Sequence, residues 1–449
     1  MSFTTDKQTI GDLDIFGKKG KPSVYALFNH TCTQGGAKLM EDMFRYPLSD
    51  HDVINRRSAT IRYIHSLGLS FPLQPESMDA AEKYLDNTDP RSQLMTQNNT
   101  LGQKLKDMIG NNIDQQLLVG GITALITILH DLRDFVQKTP ENTHSEGAIT
   151  GIRSVLGRPE LQMVFNKQPG KKLSFPELVE LDKLFRFTNP IPLTELFHHI
   201  YTLDVYMTVA RVGASLKMTY ATALPKGTDN TIRLTGVFHP FLQHPVANSI
   251  EIDRERNIIF LTGANMAGKS TFMKSVGIAV YLSHIGFPVP AEKMEFSICD
   301  GILTTINLAD NINTGYSHFY AEVLRVKKMA EQIKKGMNVF VIFDELFRGT
   351  NVKDAYEATV AITDAITRKR NCLFMVSTHI LEAAEVLQQR NSQINFVFLP
   401  TQMKEGKPLY TYRLEPGISD DRHGMLIIRN EGILNILQNG IHSRQTNAG

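Results

Sequence analysis

The stretch Gly263-Ala264-Asn265-Met266-Ala267-Gly268-Lys269-Ser270-Thr271 decides the fold of this chain. It fits G-x-x-x-x-G-K-[ST], a glycine-rich loop that wraps phosphates. The apolar run Ile258-Ile259-Phe260-Leu261 before it predicts a buried strand, and Phe272-Met273-Lys274-Ser275-Val276 after it predicts the start of a helix. Strand, loop and helix in that order bring unpaired N–H groups and the positive end of a helix dipole to an anion. Lys269 is then the point charge on the β- and γ-phosphates, and the Ser270 hydroxyl is a ligand for Mg2+. Residues Gly263, Ala264, Asn265, Met266, Ala267, Gly268 and Thr271 make up the rest of the expected ATP-binding loop.

A second run points to the same chemistry. Val339-Phe340-Val341-Ile342-Phe343 is uninterrupted apolar sequence that ends in Asp344-Glu345. Such a run predicts a buried parallel strand. A phosphate loop needs an acid at the end of a neighbouring strand to hold Mg2+, which suits Asp344. The adjacent Glu345 suits a general base that polarises the attacking water. A third run, Cys372-Leu373-Phe374-Met375-Val376, ends in Ser377-Thr378-His379. His379, at a strand end beside the γ-phosphate, suits a group that senses or stabilises charge there.

The chain has 449 residues, enough for two to three domains. Hydrophobic residues make up 42% and charged ones 21%, which is ordinary globular chemistry. The net charge of +2 gives no bulk argument for nucleic acid, and clusters such as Arg368-Lys369-Arg370 read as solvated faces. Three scattered cysteines, Cys32, Cys299 and Cys372, exclude a disulfide framework and a cysteine zinc site. The start Met1-Ser2-Phe3-Thr4-Thr5-Asp6 lacks the apolar core of a signal peptide, and no apolar run approaches the ~20 residues that span a bilayer. A reducing, cytoplasmic setting without a membrane is expected.

The grammar of the sequence changes along the chain. From about Gly35 to Tyr220 helical periods dominate. Leu118, Ile122, Leu125, Leu129, Leu132 and Val136 step by four and three, which predicts one helix stripe, although Gly120-Gly121 weakens it. Leu196, Ile200, Leu203, Met207, Ala210 and Ala214 predict a second, long helix after Pro192. After Pro225-Lys226-Gly227-Thr228-Asp229-Asn230, short apolar runs alternate with helical segments, as a parallel sheet requires. The expected architecture is multidomain: an N-terminal segment over 1–30, an all-α domain over 31–224, and an α/β P-loop domain over 225–449.

These motifs together resemble the ATPase domain of the MutS family of mismatch-repair proteins. The stretch Thr262 to Thr271 is similar to that family's T-G-P-N-M-G-G-K-S-T, and Val289-Pro290-Ala291-Glu292 to its V-P-A. Leu308-Ala309-Asp310-Asn311-Ile312 stands where the family has an acidic D-D-L-like stretch, and Ser317-His318-Phe319-Tyr320-Ala321-Glu322 resembles S-T-F-M-x-E. Asp344-Glu345-Leu346-Phe347-Arg348-Gly349-Thr350 resembles D-E-x-G-R-G-T, and Ser377-Thr378-His379 resembles A-T-H. The motifs run in the family's order. In the helical half, Thr31 to Met40 with Tyr46-Pro47-Leu48-Ser49-Asp50, and later Leu203 to Ala210, resemble that family's core and lever helices.

The resemblance implies an ABC-like ATPase with ATP and Mg2+ as cofactors. It implies that Asn265 and His379 face the γ-phosphate, and that Ser317 completes the site of a second copy in trans. The active species is then a homodimer that closes on ATP, acting on mismatched or branched DNA with a repair-protein partner. Phe238, His239 and Val246 match the stretch that holds the adenine. The family's N-terminal mismatch-reading and connector domains and its strand-rich DNA clamp are not expected here, the interval Pro140 to Pro192 being short. A nucleotide-gated protein-binding scaffold without direct mismatch recognition, and an ABC-like ATPase acting on another assembly, are the alternatives.

Overall fold

The computed structural model describes residues 3–17, 20–89, 92–94, 112–140, 147–188, 191–227, 230–306, 318–404, 407–420 and 432–439. The chain divides into two compact units, and the division does not follow chain order. One unit takes Met1–Tyr25, Tyr46–Ser58 and Gly213–Gly449, and the other takes Ala26–Arg45 and Ala59–Val212. The sequence boundaries at 30 and 224 differ from this because they assume that each domain is one continuous stretch. The first residues pack instead with the C-terminal part of the chain.

The larger unit is built on a six-stranded sheet. Its order is Glu415–Pro416, Ile394–Leu399, Ile258–Gly263, Leu373–Ser377, Val339–Asp344 and Gly301–Thr305. All neighbours pair parallel except the short Glu415–Pro416 edge. Every residue of Ile258–Gly263, Val339–Asp344 and Leu373–Ser377 is buried, which explains their unbroken apolar runs. The register sets Ser377 beside both Leu261 and Asp344, so three strands end at one level. The helix Lys269–Ile285 follows the first of them and is buried along nearly its whole length. It is apolar on all sides, as a helix enclosed by its own unit must be. A smaller four-stranded sheet, Thr222–Leu224, Lys293–Ser297, Ile232–Val237 and Asn248–Ile252, completes the unit's β-structure beside two two-stranded ribbons.

The N-terminal segment adds to the edge of the main sheet. Thr4 bridges Gly301 in parallel, with Thr4 N donating to Asp300 O at 2.7 Å and Ile302 N to Thr4 O at 3.1 Å. A Cβ on Gly301 would lie 2.2 Å from Thr4 O, so only glycine admits this strap. Asp12 then accepts from Thr304 Oγ1 at 2.7 Å and Ile306 N at 2.9 Å. Asp6 pairs with both Arg325 and Lys328. Burial alone would push the Asp6 carboxyl up, but the Arg325 and Lys328 charges outweigh it and hold it well below the carboxylate range.

In the other unit the described secondary structure is helical, including the stretch 147–188. The stripe from Leu118 to Val136 lies on the helix Asn112–Gln137, and the stripe from Leu196 to Ala214 on the helix Ile191–Ser215. Gln116–Gln137 is apolar and long enough to cross a membrane by composition, which the sequence reading missed. Its residues Ile122, Leu125, Leu129 and Leu132 are buried in the hydrophobic cluster of this unit. Gly121 has a packing reason in that helix. Its missing side chain makes room for Tyr84, whose Cβ would otherwise lie 2.1 Å from a Cβ there. Tyr84 is held in turn by Asp182 at 2.6 Å, and the buried Arg186 pairs with the same carboxylate.

Candidate functional site

The glycine-rich loop sits at the C-terminal end of the central strand Ile258–Gly263 and opens the helix Lys269–Ile285. Its shape depends on three left-handed residues: Gly263 at φ 139°, Met266 at φ 72° and Gly268 at φ 100°. A Cβ on Gly263 would lie 3.0 Å from Leu399 O, so both conformation and space demand glycine there. The Ala267 amide donates to Ala264 O at 3.2 Å, closing a turn within the loop.

Lys269 is buried at the helix start and folds back over its own loop. Its Nζ donates to Gly263 O at 2.8 Å and Ala264 O at 3.1 Å. Glu345 Oε1 stands 3.7 Å from the same nitrogen. Burial lowers the pKa of this ammonium, and the charges of Glu345 and Asp344 offset part of that shift.

Asp344 and Glu345 end the strand Val339–Asp344, one strand removed from the loop. Asp344 is buried and accepts from Ser377 Oγ at the end of the intervening strand. The Glu345 amide donates to Ser377 O at 3.2 Å and to Ser377 Oγ at 3.1 Å. Ser377 therefore holds the Asp344 carboxylate and the Glu345 backbone. It was quoted in the sequence only as part of a motif, and the strand register is what gives it this role. Glu345 is 11% exposed and faces Arg348 Nε at 2.5 Å, Lys269 at 3.7 Å and, at 3.8 Å, His379 Nδ1. Burial would raise its carboxyl pKa, but the Arg348 hydrogen bond and the nearby Arg348 and Lys269 charges outweigh that and lower it.

Gly263, Ala264, Lys269, Asp344, Glu345 and His379 thus converge at the ends of three adjacent strands. Ser270 follows Lys269 in the same helical turn. A serine hydroxyl and a buried carboxylate are hard oxygen donors, the type that Mg2+ takes. Ser317 and the stretch Leu308 to Ile312 lie outside the described residues.

A cavity of about 420 Å3 adjoins the loop. His239, Val246, Asn248, Met266, Thr271 and Tyr412 are among its walls. His239 and Val246 are where the sequence reading put them, but Phe238 is not a wall residue. Side chains alternate along extended backbone, so Val237 and His239 face the cavity and Phe238 does not. Tyr412 was missed. It is placed by Asn248, which donates to Tyr412 O at 2.9 Å and accepts from Leu414 N at 2.8 Å. A contact between residues 164 apart in sequence leaves no local signal.

A glycine loop on a central parallel strand, with acids at the end of the next strand but one, is an arrangement suited to phosphate. Comparison with known proteins narrows the reading. Residues 259–442 match the family model of MutS domain V. The "DNA mismatch repair protein MutS" of Streptococcus gordonii is 31% identical over 191 residues, covering 42% of this chain and 22% of that protein. The protein of the same name from Thermotoga maritima is 28% identical over 246 residues, covering 53% of this chain and 30% of that protein. Residues 259–442 are thus similar to MutS domain V, and the chain spans less than a third of the length of the relatives it matches.

Proposed function

We propose that this protein binds and hydrolyses ATP at the loop site, and that ATP closes a dimer acting on mismatched or branched DNA. Lys269 and the loop amides hold the β- and γ-phosphates. Ser270 and Asp344 hold Mg2+, which when bound neutralises charge on the transferred phosphoryl group. Glu345 orients the water, with His379 and Asn265 facing the γ-phosphate. The cavity beside Met266 takes the base, with His239 and Tyr412 as aromatic walls. Ser317 of a second copy completes the site. The all-α part carries the motion through the helix Ile191–Ser215.

The observation that carries this reading is the meeting of Lys269 with Glu345 at 3.7 Å, across two strands and 76 positions of sequence (345 − 269). A structural glycine turn has no need of an acid at that place. The test is turnover of wild type and Glu345→Gln, together with binding to duplex, mismatched and branched DNA across a salt series. The reading expects ATP turnover that Glu345→Gln loses, and DNA affinity that falls with salt. Equal turnover in both proteins would remove Glu345 from the reaction, and absence of binding to every DNA form would remove the DNA role. The Glu345–Arg348 ion pair, which occupies the water-orienting carboxylate, favours slow hydrolysis and so supports a second reading, a nucleotide-gated protein-binding scaffold.

A further inference from the structure

The turn after the acid strand carries a pairing that phosphate binding does not use. Arg348 donates from Nε to Glu345 Oε2 at 2.5 Å, while Lys269 and His379 stand at 3.7 and 3.8 Å. The guanidinium therefore engages one of the two carboxylate oxygens, Oε2, and fixes the direction of the other. The charges of Asp344 and Glu322 also act on Arg348, so two further acids lie within its field.

The backbone around this pair is unusual. Glu345 and Phe347 are both left-handed, at φ 54° and φ 64°, a region that side chains other than glycine resist. Phe347 is 4% exposed, and its ring meets Phe319 edge-on at 5.8 Å between centroids. Phe319 belongs to the helix His318–Lys334, which also carries Glu322. In the D-E-x-G-R-G-T motif that this stretch resembles, a glycine stands where this chain has Phe347. The ring that fixes the turn is thus supplied by this sequence.

We infer that Arg348 is a positioning residue that holds Glu345 in a resting pose, and that hydrolysis starts only when this ion pair opens. The inference rests on Glu345 being the water-orienting group. The Phe347–Phe319 contact ties the turn to the helix His318–Lys334, so displacement of that helix is the event that opens the pair. Two partly buried arrangements of one turn make a switch that both ends can bias.

The experiment compares wild type, Arg348→Gln, Arg348→Lys, Glu345→Gln and the double variant Arg348→Gln/Glu345→Gln. It reads kcat, KM, ATP affinity and, without nucleotide, melting temperature. Arg348→Gln should raise kcat by roughly twofold to fivefold, the population shift expected on losing such a pair, with KM and ATP affinity unchanged. Arg348→Lys should give a smaller rise of the same sign, and it decides the matter if the glutamine variant does not fold. The double variant should gain nothing over Glu345→Gln, because the arginine acts only through that carboxylate. Its melting temperature should fall by less than the sum of the two single losses, which reports the pair in the resting protein without any turnover. An unchanged or lower kcat in both arginine variants, or additive melting shifts, would overturn the inference. Wild type that binds no ATP, or Glu345→Gln that turns over normally, would defeat the reading beneath it instead.

Discussion

At the scale of single residues, Lys269 links the sequence to the chemistry. Its ammonium is buried on two loop carbonyls and beside Glu345, so it is held by the groups that a triphosphate would displace. Lys269→Ala is expected to weaken ATP binding at least tenfold, about 1.4 kcal/mol or more, in a direct titration. An unchanged affinity would contradict the phosphate cradle. Gly263→Ala is expected to lower the folded state's stability by about 1–2 kcal/mol, since alanine resists that backbone region and Leu399 O stands close. Denaturant unfolding of that variant checks it. Lys269, Asp344 and Glu345 were legible in the sequence because each sits at a fixed offset from an apolar run. Arg348 is legible only as a motif letter, because its pairing depends on a left-handed turn at Glu345 that no local pattern announces. Tyr412 was illegible for a different reason: Asn248 places it, from the far side of the unit's sequence.

At the scale of elements, the two glycines at 120 and 121 separate propensity from packing. A Cβ on Gly120 would meet no atom within 4 Å, whereas one on Gly121 would run into Tyr84. Gly120→Ala should stabilise the chain by about 0.5–1 kcal/mol through helix propensity alone. Gly121→Val should destabilise it by about 1–3 kcal/mol, because a packed tyrosine must move. Both are read by denaturant unfolding, and equal effects would refute the distinction. The helix Lys269–Ile285 carries a second test. His284 is fully buried, with Nδ1 at 2.8 Å from Val280 O and Nε2 accepting from the Cys299 amide at 3.2 Å. Burial pushes its pKa from 6.5 down to about 4, against the weaker opposing effect of the Val280 carbonyl. The unfolded chain thus takes up a proton below about pH 6.5 that the folded chain refuses until about pH 4. This one group makes stability fall across that window, by about 3 kcal/mol in total, and adds no slope above it. His284→Gln should flatten that part of the stability-versus-pH curve, and an unaltered slope would exclude His284 as its source. The strands and both long helices were legible from apolar period, whereas the strap of residues 3–13 on the sheet edge was not. Its bonds are to backbone, to Thr304 and to the Arg325 and Lys328 side chains, and such bonds have no period to read.

At the scale of the whole molecule, the two units interleave along the chain, so a composition shift near residue 225 marks a change of grammar rather than a boundary. The matched family domain covers residues 259–442, and the loop, the acid pair and His379 all lie inside it. ATP with Mg2+ gripped by this loop and acid pair, with a second copy finishing the grip, is the proposal on which the rest depends. Sedimentation of Glu345→Gln with and without ATP and Mg2+, with bound nucleotide counted in the sedimenting species, decides it. The expected result is a dimer that appears with ATP and holds one nucleotide per chain. A species that retains no nucleotide, or a single chain that binds it fully and never pairs, would contradict it.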